Sequence, residues 1–133
     1  IAQAVANPRG MIASDGMIKH GNGHPRAAGT FPRVLGKYVR EEKKLSLIEA
    51  LKKMTVVPAE RLDLEHRKGI IRIGADADIT VFDPETIIDG ATFGDISKPP
   101  KGIDWVIVAG KLAAREGEII NEKAGRFISY FEK

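Results

Sequence analysis

Asp15 is the residue of this chain best suited to move a proton. It follows the apolar run Met11-Ile12-Ala13 and stands between Ser14 and Gly16. A carboxylate at a strand end can take a proton from an attacking water and return it to a leaving amine. Read without chemistry, the same residue is a turn aspartate. Arg26 lies eleven positions on, in His24-Pro25-Arg26, within a glycine-rich stretch. A guanidinium can hold a carboxylate through two parallel hydrogen bonds, which makes Arg26 the candidate anion binder. Arg33 is a second candidate and reads better as an exposed helix residue. His20 and His24 are four apart, a metal-ligand spacing only on a helix, and Gly21-Asn22-Gly23 between them leaves their geometry undefined. The His-Glu-x-x-His pattern of zinc proteases is absent. His66 reads as a surface residue. Asp76, Asp78 and Asp83 read as turn and strand-end residues, since calcium-loop spacing is not met.

These residues need a scaffold. Ile1 to Val5 reads as the end of a helix closed by Asn7-Pro8-Arg9-Gly10, and Met11 to Ala13 as a short buried strand. Catalytic groups at the C-terminal ends of strands are the habit of (β/α)₈ barrels. Residues 14–29 read as loop, with four glycines and Pro25. Thr30 to Glu42 is predicted helical, capped at Thr30 or Phe31, with Pro32 in the first turn and Val34, Leu35, Tyr38 and Val39 on one face. Gly36 weakens that helix unless a neighbour packs against it. Ser46 to about Thr55 is a second helix, opened by the capping box Ser46-Leu47-Ile48-Glu49. Leu47, Ala50, Leu51 and Met54 form its buried stripe, and Pro58 ends it or opens a short helix through Leu62.

After residue 66 the pattern turns to strands. Ile70, Ile71 and Ile73 lead to Gly74, and Ala77 to Phe82 is a β-branched run that stops at Asp83-Pro84. Trp105 to Val108, the turn Ala109-Gly110 and Lys111 to Ala114 read as a hairpin, with Gly117 ending the return strand. Residues 85–104 read as a surface connection, and Gly125 to Phe131 as a terminal strand or docked tail. The composition shift near residues 60–68 is the candidate domain boundary.

The chain has 133 residues, enough for one domain with a core but well short of the roughly 250 of a full barrel. Its start at Ile1 without an initiator Met is expected of a truncated or processed chain. Net charge is +3, and the densest stretch, Arg40-Glu41-Glu42-Lys43-Lys44, mixes signs as a solvated helix end does. The one-signed stripe with interleaved aromatics that nucleic-acid binding wants is missing. With no cysteine, disulfides and thiolate metal ligands are excluded within this chain. No apolar run approaches the ~18 residues of a membrane span, and no secretory signal is visible. A cytoplasmic location is the expectation, with no nucleic-acid or membrane partner.

Taken together, these pieces resemble the C-terminal portion of the D-aminoacylase (N-acyl-D-amino-acid deacylase) family of the amidohydrolase superfamily. The resemblance rests on Ser14-Asp15-Gly16, His24-Pro25-Arg26, Gly29 to Gly36, Lys53-Met54-Thr55, Pro58 to Leu62 and Gly74 to Pro84. Asp89, Ala91-Thr92-Phe93, Gly102-Ile103 and Val106 to Gly110 continue it over nearly the whole chain. The stretch at 74–84 is shared widely among amidohydrolases, whereas that at 24–36 is more specific to the deacylases. The resemblance implies an α/β fold. Residues 1–62 would be the last strand, active-site loop and helices of a metal-dependent hydrolase (β/α)₈ barrel. Residues 63–133 would be the C-terminal part of a small β-sandwich domain. It implies zinc-dependent hydrolysis of N-acyl-D-amino acids. Asp15 would serve at the metal as ligand and as general base then acid, and Arg26 would pair with the substrate α-carboxylate.

The family's zinc ligands are an early His-x-His, a cysteine and later histidines, and this chain has neither a cysteine nor a His-x-His. The main zinc ligands are therefore expected outside it, on the N-terminal remainder of the same enzyme, and the chain alone is expected to be inactive. Family members usually carry Asn before the hairpin glycine, where this chain has Ala109. Two other readings compete: a hydantoinase- or dihydroorotase-like cyclic amidohydrolase, and a non-catalytic assembly module. The loop around Arg26 separates the first from a deacylase, because only a substrate with the matching carboxylate would need that arginine. Apolar helix stripes larger than the short β-part can cover count against the second.

Overall fold

The computed structural model describes residues 1–129. Helices dominate its first half and an antiparallel sheet its second, an α/β make-up. Helix α1 (Ala2–Ala6) leads into an irregular stretch, then a two-residue ribbon of β1 (Ile18–Lys19) and β2 (Asn22–Gly23). Helix α2 (Arg26–Arg33) passes without a break into a wider π-helical stretch, Val34–Glu41, followed by α3 (Leu47–Met54) and α4 (Val56–Arg61). The sheet comprises β3 (Ile79–Phe82), β4 (Ile103–Val108), β5 (Lys111–Arg115) and β6 (Glu118–Ile119), in the order β3-β4-β5-β6.

The core forms where the helical stripe predicts it. Val34, Leu35, Tyr38 and Ala50 are buried together, with Leu47, Leu51 and Met54 partly buried against them. The fifth buried member is Ile87, from the irregular segment between β3 and β4, and Phe82 and Ile103 pack beside it. Gly36 lets that segment in: a Cβ there would stand 2.5 Å from the Ile87 carbonyl oxygen. Arg40 fastens the same place by donating from Nη1 to the Ile87 carbonyl at 2.6 Å.

Several elements follow from local chemistry. Ser46 Oγ accepts from the Glu49 amide at 3.2 Å, and Glu49 Oε2 accepts from the Ser46 amide at 2.8 Å. That reciprocal cap satisfies two orphan donors of α3. It also holds the Glu49 carboxyl below its ordinary pKa, through the Ser46 amide and then its hydroxyl. Ala109 and Gly110 both take positive φ, 49° and 76°, as a two-residue hairpin turn between right-twisted strands demands. The pairing Val108↔Lys111 follows.

Several expectations fail. Met11 to Ala13 is not a buried strand: no partner strand lies beside it among the described residues, Met11 is half-exposed, and its backbone tie is Ile12 N–H to the Lys53 carbonyl at 3.0 Å. The helix predicted from Thr30 begins at Arg26, inside the expected loop. Pro25 at the cap presets the first turn, and its carbonyl accepts from Ala28 and Gly29. Pro32 therefore sits inside the helix rather than in its first turn. Its missing N–H breaks the hydrogen-bond ladder just before the wider stretch begins. Gly29, a poor helix residue, is kept because a Cβ would meet that of Asp89 at 3.0 Å. The expected loop also holds the β1–β2 ribbon. Of the two readings of the tail, the strand does not form over residues 125–129, and the rest of the predicted tail, including Phe131, lies outside the described residues.

Candidate active site

The stretch that carries Asp15 is held from behind by a buried lysine. Lys53, on α3, is 7% exposed. Its Nζ donates to the carbonyls of Asn7 and of Gly10, the latter at 3.2 Å. This anchors the chain just before Met11. Asp15 then takes a left-handed backbone, φ 43°, a conformation that short polar side chains tolerate best. Gly16 follows because the start of α2 presses on it: a Cβ there would lie 2.4 Å from Ala27 Cα.

That close approach brings Asp15 and Arg26 together. Arg26 donates from Nη2 to Asp15 Oδ2 at 3.0 Å and from Nε to the Asp15 carbonyl at 2.9 Å. The Asp15 side chain is 89% exposed and that of Arg26 48%. Behind Arg26, His24 Nδ1 accepts from the Arg26 amide at 3.1 Å. The His24 ring meets Phe93 edge-to-face, with centroids 5.0 Å apart. Arg26, His24 and Phe93 line an open cavity of about 810 Å³ that also touches Thr30, Arg33 and Asp89. Asp15 does not line this cavity and meets it through Arg26.

Arg33 is not simply an exposed helix residue. Its Nη2 and Nε reach Asp89 Oδ2 at 2.7 and 2.9 Å, and the Asp89 side chain is only 7% exposed. Neither this partnership nor the roles of Lys53 and Phe93 were read from the sequence. Phe93 and Asp89 carry no local signal, since both come from an irregular segment more than fifty residues away. Lys53 had one: a lysine on the inner face of an amphipathic helix needs buried acceptors.

Among the described residues, His20 and His24 join no group of potential metal ligands. His20 sits in the β1–β2 turn with φ 51°. His66 is exposed, and its carbonyl accepts from Arg72. Asp76 and Asp78 are occupied by Arg67 and Lys68, and Asp83 caps its own turn through the Glu85 amide and Thr86 hydroxyl. Among the described residues, no three His, Asp or Glu side chains come together to hold a metal ion. Asp89, which lines the cavity, and Asp15 beside it are each already paired with a guanidinium. The residues present do not by themselves make a metal site.

The model of the amidohydrolase family matches residues 7–114, most of the chain. The chain belongs to the amidohydrolase family. Within that family it resembles the D-amino-acid deacylases. It is 44% identical over 100 residues to N-acyl-D-glutamate deacylase of Alcaligenes xylosoxydans xylosoxydans, covering 75% of this chain and 20% of that protein. It is 41% identical over 119 residues to the D-aminoacylase of the same organism, covering 90% and 24%. Solved structures agree. A D-aminoacylase crystal structure superposes with a TM-score of 0.87 at 38% identity, over 94% of this chain and 26% of that one. N-acyl-D-glutamate deacylase from Bordetella bronchiseptica, complexed with zinc and a phosphonate inhibitor, superposes at 0.79 and 35% identity, over 90% and 27%. This amidohydrolase chain spans about a fifth to a quarter of the length of the curated relatives it matches.

Proposed function

We propose that this chain is the C-terminal part of a zinc-dependent deacylase that hydrolyses the amide bond of N-acyl-D-amino acids. In this reading residues 1–62 complete a (β/α)₈ barrel and residues 63–133 belong to a small β-sandwich domain. The observation that carries it is the juxtaposition of Asp15 with Arg26, at a cavity large enough for a small acylated amino acid. The relatives supply the substrate class, for their names are those of enzymes acting on N-acyl-D-glutamate and on other N-acyl-D-amino acids.

The chain's own residues have distinct tasks. Arg26 binds the α-carboxylate, since it lines the cavity and its guanidinium offers the fork that a carboxylate matches. Asp15 takes a proton from the attacking water and returns it to the leaving amine as the C–N bond breaks. Lys53 and Gly16 fix where Asp15 stands. Zinc, when bound, supplies a Lewis acid for the amide carbonyl and a more acidic water. Its main ligands are assigned to the remainder of the enzyme, with Asp15 as the single contribution from this chain.

The test is turnover by the full-length enzyme on matched N-acetyl-D- and N-acetyl-L-amino acids. Activity confined to the D series is expected. Asp15→Asn should lower kcat by about 10²- to 10⁴-fold, the range of a general base, with little change in KM. Near-normal turnover by that variant would remove Asp15 from the mechanism, and equal rates on both series would end the deacylase reading.

A further inference from the structure

Arg26 has been assigned to the substrate carboxylate, yet in this structure its guanidinium is engaged by another one. Its Nε and Nη2 form one edge of the guanidinium, and Asp15 takes both, through its carbonyl at 2.9 Å and its Oδ2 at 3.0 Å. That edge suits a two-pronged carboxylate contact. Asp15, meanwhile, lies outside the cavity that Arg26 lines. We propose that Arg26 serves two carboxylates in turn: it holds Asp15 while the site is empty and exchanges it for the carboxylate of the arriving substrate, which frees Asp15 for its work. Arg26 is then a positioning residue for Asp15 as well as a binding residue, and an amide lacking the carboxylate would leave Asp15 held.

The energetics allow the exchange. Asp15 is almost fully exposed and Arg26 half-exposed. An ion pair in such a setting contributes only about 0.2–1 kcal/mol. A substrate carboxylate that offers both of its oxygens to the same edge of the guanidinium competes with so weak a pair.

The inference rests on the deacylase reading, and calorimetry on the full-length enzyme separates the two. The probes are N-methylsulfonyl-D-alanine, whose sulfonamide is not cleaved, and its α-carboxamide. The quantity read is the ratio of their affinities, acid over amide. Asp15→Asn keeps a residue that tolerates the left-handed backbone and removes the charge held by Arg26 Nη2, while the Nε bond to the backbone carbonyl remains. It should raise the ratio by about 1.4- to fivefold, the exposed-pair energy converted to affinity. In an Arg26→Gln background the same change should leave the ratio unmoved. A gain that persists there is plain charge repulsion and overturns the exchange. If Asp15→Asn leaves the ratio unchanged while Arg26→Gln lowers it, Arg26 binds substrate without exchange, and only the present inference falls. If Arg26→Gln does not lower the ratio, Arg26 is not the carboxylate receptor, and the role given to it above falls too. Circular dichroism of each variant, matched to the parent, establishes that the fold is kept.

Discussion

Arg33 and Asp89 show how unequal two halves of an ion pair can be. Asp89 is enclosed by Gly29 and Arg33, with 7% of its side chain exposed, whereas Arg33 keeps 46%. Removing the arginine leaves a carboxylate without its charge partner in a place that water hardly reaches. Removing the aspartate leaves an arginine that can turn to solvent. Arg33→Ala should therefore cost about 2 kcal/mol, Asp89→Ala clearly less, and the double variant less than Arg33→Ala alone. Urea melts of the three would show it, and equal single costs would mean that Asp89 is better hydrated than its burial indicates. At this scale the sequence is a partial guide. Asp15 and Arg26 stand out because a carboxylate after an apolar run and an arginine among glycines have few structural reasons to be there. Their meeting is not legible, since it depends on Gly16 letting α2 approach. Asp89 is silent in the sequence, because its partner is 56 residues away.

Elements were legible where a single local interaction decides them. The capping box at Ser46 and the turn at Ala109-Gly110 are cases in which side chain and backbone agree within four residues. Ser46→Ala should destabilise the chain by about 1 kcal/mol, the usual worth of an N-cap, measured by thermal unfolding at neutral pH. Ala109 invites the opposite change. Its φ of 49° is strained for alanine, while its amide donates to Asp78 Oδ1 at 2.8 Å whatever side chain it carries. Ala109→Asn should thus add about 0.5–1 kcal/mol, and a loss would mean that the new side chain disturbs the Asp78 contact. Elements were missed where tertiary contacts overrule propensity. Gly29 argued against a helix starting at Arg26, but Asp89 needs the space that glycine leaves. Met11 to Ala13 has strand composition and no strand beside it.

At the scale of the whole molecule, the architecture was legible as a sequence of parts, helices and then a small sheet, but not as a packed body. Ile87, from the predicted surface connection, is 2% exposed in the core. Ile71, Ile73 and Phe127 are almost fully exposed, although their types alone predict burial. Another tie between the parts is electrostatic. Arg67 and Lys68, beyond α4, pair with Asp76 at 2.8 and 2.9 Å, and Lys68 also pairs with Asp78, which holds the hairpin through Ala109. Lys68 and Arg67 hold the Asp76 carboxyl below its ordinary pKa. Burial pushes Asp78 up, but Lys68 and the Ala109 amide outweigh it, and the net shift is downward. Burial likewise pulls Lys68 down, and the two aspartates outweigh it, so its net shift is upward. The signs fix the pH window. A depressed carboxyl stabilises the fold above its unfolded pKa of about 3.9 and loses that contribution as pH falls through the folded value. A raised lysine stabilises below its unfolded pKa of about 10.4 and loses that contribution as pH climbs through the folded value. The tie should hold from about pH 5 to about pH 9 and weaken on either side. Lys68→Met, which keeps the apolar stem and removes the charge, should lower the melting temperature at pH 7 and make its fall between pH 5 and pH 3 shallower than in the parent. A fall of the same steepness in both proteins would mean that the acid limit is set elsewhere, and that Asp76 and Asp78 hold the sheet by geometry rather than by charge.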